Sequence, residues 1–504
     1  MKLGRNLLAG LANSIWSALV GLAVVPFYLK YLGIEAYGLI GFFVTTQAVL
    51  SLLDMGMAPT INREVARCSA AGSLQEAGKL LHTLAIIYWI MAGAIALLIL
   101  ALAPLIAEYW LQSKQLSPKT ISQAVMLMGL VVACRWPIGL YQGALIGAQR
   151  LTVSSGINMS MVTIGSLGAI AVLALVSPTI EAFFIWQACV GLVYAITIRW
   201  AAWRIIGKSN QIKFDVDKLK SVWRFTAGMS VISLMGIIFT QLDKVLLSKL
   251  LGLEEFAHYM LATVVVSGLY VLVTPMYNVV YPRFSALAVT GDTEKLTDFY
   301  RLSTRILAIV LFPIAMMLAV FAEDLVRIWT GNPSLASSVA PVIALLAIGS
   351  ALNGIMYIPH ALQLAFGMTR LPIIINGTLM IFILPLIIFF ALSYGAAGGA
   401  IAWFMLHAFY VLLSTWLTHR HLLRGLGKRW LFNDVGVPFG LTLIAGMAAK
   451  YICQGNECSV FIKLAIGSSL TFLTVVVCVL LTPKLLTLIS HYFYVKKTVR
   501  AGQI

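Results

Sequence analysis

Apolar runs of about 20 residues, broken by short polar segments, recur from one end of the chain to the other. A run of that length crosses the roughly 30 Å hydrocarbon core of a bilayer as a helix. The strands of an outer-membrane barrel are shorter, roughly 10 residues, and alternate in polarity, a pattern this chain does not show. Hydropathy and loop charge predict about fourteen transmembrane helices, near 7–29, 37–59, 83–107, 122–147, 152–176, 182–203, 225–250, 259–281, 303–322, 338–366, 371–393, 396–417, 434–452 and 460–482. Between the second and third, Asn62 to His82 has helical character and reads as cytoplasmic. The expected fold class is an all-α polytopic membrane protein.

The pattern is used twice. Lys30-Tyr-Leu-Gly33-Ile-Glu35, after the first run, returns as Lys249-Leu-Leu-Gly252-Leu-Glu254, an offset of 219. Gly72 matches Gly291 at the same offset, and Gly147-x-x-Arg150-Leu151 matches Gly367-x-x-Arg370-Leu371 at 220. A six-helix unit repeated in one orientation predicts two lobes related by an axis along the membrane normal. The expected division is an N-terminal lobe at 1–205, a basic cytoplasmic linker at 206–224, a second lobe at 225–420, an extra helix pair at 421–492 and a cytoplasmic tail at 493–504. Gly395-x-x-x-Gly399 predicts close helix packing at the start of the twelfth span. Arg150 and Arg370, at the membrane edge in both copies, read as scaffold anchors.

Composition fits this picture: of 504 residues, 61% are hydrophobic and 11% charged, where a soluble domain carries roughly 25% charged residues. The net charge of +17 is not a nucleic-acid footprint. Lys and Arg collect in every second loop, as in 204–224, 283–305 and 420–429, which is the positive-inside bias and puts both termini in the cytoplasm. The first apolar run is of spanning length and continues into the repeat, so it does not read as a cleavable signal. Of six cysteines, Cys453 and Cys458 share a short outer loop, where a disulfide and two free thiols are both compatible with the spacing.

Asn13 in the first span, Pro26 before a Leu-Gly turn with Tyr37-Gly38, Asp243-Lys244 running into Leu251-Gly252 and Tyr259, and Pro282-Arg283 together resemble the bacterial polysaccharide exporters. The chain resembles the Wzx-type flippases of lipid-linked oligosaccharides, in the superfamily that also holds the multidrug and toxin extrusion (MATE) transporters and lipid II flippases. The resemblance implies two six-helix lobes forming a V around a polar cavity, and a further C-terminal pair as in the polysaccharide branch. It implies flipping of a lipid-linked oligosaccharide of the polyprenyl pyrophosphate type across the bacterial cytoplasmic (inner) membrane, for surface polysaccharide such as O-antigen. Membrane lipid and other polysaccharide assembly proteins would be the partners, and H+ or Na+ the coupling ion, with no cofactor.

An ionisable group inside a span costs about 3 kcal/mol or more unless it finds a partner or lines a wet cavity. Arg135, inside Arg135-Trp136-Pro137 of the fourth span, is the most central. Its planar guanidinium suits a phosphate or acidic sugar, or else a structural pair with Asp54 or with another helix. Pro137 should kink that helix. Lys244 shares a helix face with Gln241 and Ser248, and Lys244 and Gln241 with Arg135 and Asn13 form the expected substrate-binding set. Asp243 and Lys244 are neighbours pointing about 100° apart, so their pairing is not implied. Asp54, Asp243 and His360 are the candidates for ion coupling, each with a packing or salt-bridge role as the alternative. His419-x-His421 reads as solvated rather than metal-binding.

Enzyme motifs are absent: there is no His-Glu-x-x-His, and Gly72 to Gly78-Lys79 has the wrong spacing for a phosphate loop. The alternatives to flipping are a MATE-type drug/cation antiporter, which would favour an acidic cavity, a membrane polymerase or ligase, and a non-transporting scaffold.

Overall fold

Helix caps and glycine turns cut the apolar runs into the elements observed. The computed structural model describes residues 2–207, 234, 236–454, 459–482 and 486–487. Most of the basic linker, the start of the seventh span, Cys458 and the C-terminal tail lie outside the described residues. The first helices are α1 (Lys2–Leu32), α2 (Ile34–Leu50), α3 (Met57–Ala70) and α4 (Leu74–Leu105), the last continuing as a π-helical stretch, Ile106–Trp110. Then come α5 (Pro118–Arg135), α6 (Ile138–Gly147), α7 (Leu151–Leu175), α8 (Ile180–Ile206) and α9 (236–250). The remainder are α10 (Leu253–Ser267), α11 (Tyr270–Thr290), α12 (Thr293–Val320), α13 (Ala322–Thr330), α14 (Pro333–Ala365) and α15 (Arg370–His421). The short α16 (Gly427–Arg429) runs through a π-helical stretch, Trp430–Gly436, into α17 (Val437–Gln454), and α18 (Val460–Leu480) closes the described chain. The all-α polytopic class expected from hydropathy is what the chain adopts.

Eleven described helices are long and apolar enough to cross a membrane, or up to twelve with α10 and α11 as one span bent by 46°. The 52-residue α15 is two helices joined at Gly395, whose φ of 58° and ψ of −135° are not helical, and α9 begins outside the described residues. The tally is therefore consistent with the expected fourteen. The stretch Asn62–His82 is helical, in two parts: Gly72, at φ 72°, ends α3 and lets α4 start at Leu74. Side chains of Ser117, Thr179, Asp292 and Asn332 cap the next-but-two backbone N–H at the starts of α5, α8, α12 and α14, satisfying donors that hydrocarbon cannot.

The repeat is visible helix by helix. Gly33 and Gly252 stand at equivalent turns, Gly72 and Gly291 both take a left-handed conformation before a new helix, and α2–α3 and α10–α11 break at matching places. The other matched pair diverges. Gly367 is left-handed at φ 67°, whereas Gly147 lies inside α6, where a Cβ would meet the Asn62 carbonyl oxygen at 2.3 Å. Its role is close α3–α6 packing, shared with Gly143 against Ala58. Near Gly395, Gly398 approaches the Phe390 backbone closely.

By their contacts the described residues form two compact units, Met1–Met260 and Leu261–Ile504. The boundary between these units lies within α10, and the α9–α10 turn is fastened to the first unit. Leu253 N–H donates to the Gln112 carbonyl at 2.7 Å, Trp110 Nε1 donates to Ser248 at 3.1 Å, and Lys249 donates to the Tyr109 carbonyl. The preceding loop is wound around buried Glu35, which accepts from the backbone N–H groups of Lys114 (2.9 Å), Gln115 (3.0 Å) and Leu116 (3.3 Å) and from Ser113. Its repeat counterpart, Glu254, is exposed. The second helices of the two copies, α2 and α10, then pack on glycines: a Cβ on Gly38 would lie 2.5 Å from the Leu253 carbonyl oxygen, and one on Gly41 2.6 Å from Met260 Cγ.

In the second unit α11, α12, α13 and α15 all pack on α14, and α17 and α18 pack on α12. A buried ion cluster fixes that last contact. Asp434, fully buried in the π-helical stretch, accepts from Arg301 Nε at 2.7 Å, Arg301 Nη2 at 3.1 Å and Arg305 Nε at 2.5 Å. Beside it Trp430 stacks on Tyr300 at 5.8 Å and donates to Thr304 at 2.9 Å. His419, expected to be solvated, is instead buried against Tyr300 and Trp430, with Nδ1 2.7 Å from the Thr415 carbonyl.

Gly38→Val should cost about 1–3 kcal/mol through forced separation of α2 and α10, whereas Gly21→Ala, with open space at its Cβ, should be neutral or slightly stabilising; thermal unfolding in detergent separates them. Asp434→Asn leaves two cations facing a buried neutral group and should cost about 3–5 kcal/mol, read as premature proteolytic release of the α17–α18 pair. Replacing Asp434, Arg301 and Arg305 together with apolar residues should cost much less.

Candidate functional site

Pro137 produces the expected break. α5 stops at Arg135 and α6 starts at Ile138, so the guanidinium stands at a helix end in the middle of a span. Arg135 Nη2 donates to Gln187 Oε1 at 2.5 Å, and its Cζ lies 5.8 Å from the centre of the Phe43 ring. The Gln187 amide donates in turn to the Gly165 carbonyl at 3.2 Å. Space for the arginine stem is left by Gly191 of α8, where a Cβ would meet Arg135 Cγ at 3.0 Å. Its electrostatic neighbours include the Tyr28 and Tyr194 hydroxyls. Among the described residues no carboxylate lies within ion-pair distance of Arg135.

Tyr194, an electrostatic neighbour of this cation, is hydrogen-bonded into a network that reaches Asn13. Its hydroxyl accepts from Gln142 Nε2 at 2.6 Å and donates to Asn158 Oδ1 at 2.9 Å, and Asn158 Nδ2 donates to Asn13 Oδ1 at 2.7 Å. Trp16 Nε1 extends the chain by donating to Thr163 at 2.9 Å. Four helices, α1, α6, α7 and α8, thus supply neutral polar groups to one partly buried network. Of the expected binding residues, Asn13 belongs to it, and Arg135 is an electrostatic neighbour of its Tyr194 hydroxyl.

The alternative pairing of Arg135 with Asp54 does not occur. Asp54 ends a 3-10 turn, Ser51–Asp54, accepts from the Tyr88 hydroxyl, and takes the Ala58 N–H at 3.3 Å. It therefore helps start α3, which begins beyond left-handed Gly56.

Lys244 and Gln241 stand apart from that network, on α9. The adjacent Asp243 and Lys244 do pair, because the long lysine stem curls back: Nζ lies 3.2 Å from both carboxylate oxygens and donates to the Thr240 carbonyl at 2.9 Å. Tyr259 donates to the same carboxylate at 2.6 Å. Asp243 is buried and Lys244 is mostly so. Gln241 is partly buried, and Ser248 is taken up by Trp110.

His360 lies in the second unit among aromatic rings. Tyr277 is stacked with Tyr281 at 5.9 Å and 2° and with His360 at 6.4 Å and 22°, while Tyr357 meets Tyr277 at 5.9 Å and Tyr270 at 6.2 Å edge to face. Asn353 donates to the Tyr270 hydroxyl at 2.8 Å, and His360 is hydrogen-bonded to Gln363. Rings with polar edges, partly exposed, are chemically suited to the faces and hydroxyls of a sugar. The tyrosines of this cluster, Gln187 and the Tyr194–Asn158 pair are not singled out in the sequence, where charged residues stand out most from the apolar runs. The detectable signal is an Asn, Gln or Tyr recurring inside otherwise apolar helices.

Curated relatives share low identity over most of the chain. A putative O-antigen transporter of Shigella flexneri is 22% identical over 81% of this chain and 97% of its own, and the uncharacterized membrane protein EpsK of Bacillus subtilis is 22% identical over 75% and 74%. Among solved structures the fold is similar to the lipid II flippase MurJ in an inward closed conformation (TM-score 0.68, 13% identity, 95% of this chain and 100% of that one). It is also similar to an inward-facing multidrug resistance MATE family transporter (TM-score 0.60, 16% identity, 82% and 95%). A family model described as polysaccharide biosynthesis protein matches residues 29–339, more than half of the sequence. The chain belongs to that polysaccharide biosynthesis family.

Proposed function

We propose that this protein flips a lipid-linked oligosaccharide of the polyprenyl pyrophosphate type across the bacterial cytoplasmic membrane by alternating access, with its termini in the cytoplasm and its repeats, 1–205 and 225–420, acting as the two moving lobes. The observation that carries the reading is Arg135, a guanidinium in mid-span whose hydrogen-bond and ring partners, Gln187 and Phe43, are neutral. Such a group keeps its hydrogen-bonding fork for an anion, and a diphosphate matches that fork. Around it, the Asn13–Asn158–Tyr194–Gln142 network provides the donors and acceptors that sugar hydroxyls need on leaving water. The tyrosines of α11 and α14 offer a second surface for the saccharide. Family membership, the O-antigen transporter relative and the flippase fold support the transport of such a lipid over polymerisation or ligation. A drug/cation antiporter would be served poorly by a central arginine.

Lys244 and Gln241 enter as a conditional second contact. While Asp243 is ionised it holds Lys244 at 3.2 Å; protonation of Asp243 would release the ammonium toward an anionic head group. That exchange is our candidate for coupling to a proton gradient, with Asp54 and His360 as the further ionisable sites.

In vesicles, Arg135→Ala should lower transport of a labelled lipid-linked saccharide by about tenfold or more, the loss expected for a charge-assisted bidentate contact. Gly191→Val, which displaces the same side chain, should act in the same direction. Full transport by folded Arg135→Ala protein would remove the assignment.

A further inference from the structure

The two halves of α15 leave a groove that no described residue fills. At Gly395 the helix turns back, and Gly398 brings the second half onto the first so closely that a Cβ there would lie 1.8 Å from the Phe390 carbonyl oxygen. Away from this contact the halves diverge. Between them lies a cavity of about 570 Å³, walled by Phe382, Ile383, Leu386, Phe409, Leu413 and Trp416 among others. The polar side chain in its wall, Thr378, spends its hydroxyl on the Ile374 carbonyl at 2.8 Å. Water in such a space would lack partners, so its natural occupant is hydrocarbon.

The open end of the hairpin is cationic. Arg420 Cζ lies 5.6 Å over the ring of Trp416, which itself lines the groove. Arg370, at the start of the first half, and Arg424, just beyond the second, are exposed at the same end. Among the described residues none of the three has a carboxylate within ion-pair distance. The loop bias assigns this end to the cytoplasmic leaflet. An apolar slot ending in exposed guanidinium groups matches an amphiphile with a long chain and a phosphate at its tip. A slot between two converging helices accepts one chain, whereas a phospholipid brings two for each phosphate.

We propose that this groove is a docking site for the chain of a polyprenyl diphosphate-linked lipid, entered from the cytoplasmic leaflet, with the diphosphate held at Arg420 and Arg370. The proposal rests on the lipid-linked substrate inferred above and adds where its tail is held, at a place distinct from Arg135.

The test uses the full chain in phosphatidylethanolamine vesicles with two photoreactive probes, a polyprenyl diphosphate and a phosphatidylglycerol, each carrying a diazirine on its chain. Peptides containing Phe382 and Phe409 should be labelled about tenfold more by the polyprenyl probe, a difference of about 1.4 kcal/mol. Leu412→Trp, a substitution at an exposed lining position, should remove that labelling, and Arg420→Gln should reduce it. Equal labelling by both probes, or polyprenyl labelling elsewhere that ignores Leu412→Trp, would overturn the proposal. Transport measured in the same vesicles separates the two ideas. Transport that still depends on Arg135 without groove labelling overturns the groove alone; loss of both overturns the functional reading and the groove with it.

Discussion

Arg135 is a permanent cation in the middle of a membrane span, held by a carboxamide at 2.5 Å and set over the face of a phenylalanine. Each buried carboxylate of the described chain is held elsewhere. Glu35 is wrapped by the backbone of residues 114–116, Asp243 faces Lys244 and Tyr259, and Asp434 faces Arg301 and Arg305. Partly buried Asp54 is occupied by Tyr88 and the start of α3. Among the described residues, none of these carboxylates compensates the Arg135 guanidinium. Carrying an uncompensated charge at that depth costs stability, and a ligand of opposite sign is the means of recovering it.

The surrounding architecture keeps that charge where it is. The proline break between α5 and α6 ends the helix at Arg135, Gly191 leaves room for the stem, and Gln187 is itself anchored on the Gly165 carbonyl. Close packing at glycines supplies the rigidity. Gly38 and Gly41 on α10, Gly143 and Gly147 on α3, and Gly446 and Gly467 on the Met316–Phe321 region of α12 bring helices together without side chains between them. In lipid this is the effective way to hold helices, because apolar burial alone does not drive their association.

Much of the fold could be read from the sequence because its signals are local. Hydropathy finds helices from their own residues, and Gly33, Gly72, Gly252 and Gly291 mark turns by the conformations they permit. The site was legible only in part. Arg135 is conspicuous as a charge, but Gln142, Asn158, Gln187 and Tyr194 pass unnoticed through a hydropathy window, and their meaning lies in contacts between distant helices. The Asp434 cluster joins positions 133 and 129 residues apart, which no spacing rule reaches. Adjacent Asp243 and Lys244 failed in the opposite way: helical geometry separates their Cβ atoms, and lysine flexibility overrides it.

If an uncompensated cation is what recognises the substrate, its signature is electrostatic and should appear in equilibrium binding. The direct measurement is the affinity of the purified protein for a polyprenyl diphosphate-linked saccharide as a function of salt, compared with a neutral-headed analogue and with Arg135→Gln. The account predicts that affinity for the diphosphate falls with rising salt, that Arg135→Gln weakens it by about tenfold or more and flattens the salt dependence, and that the neutral analogue is indifferent to the substitution. Wild-type affinity and an unchanged salt dependence in Arg135→Gln would contradict it.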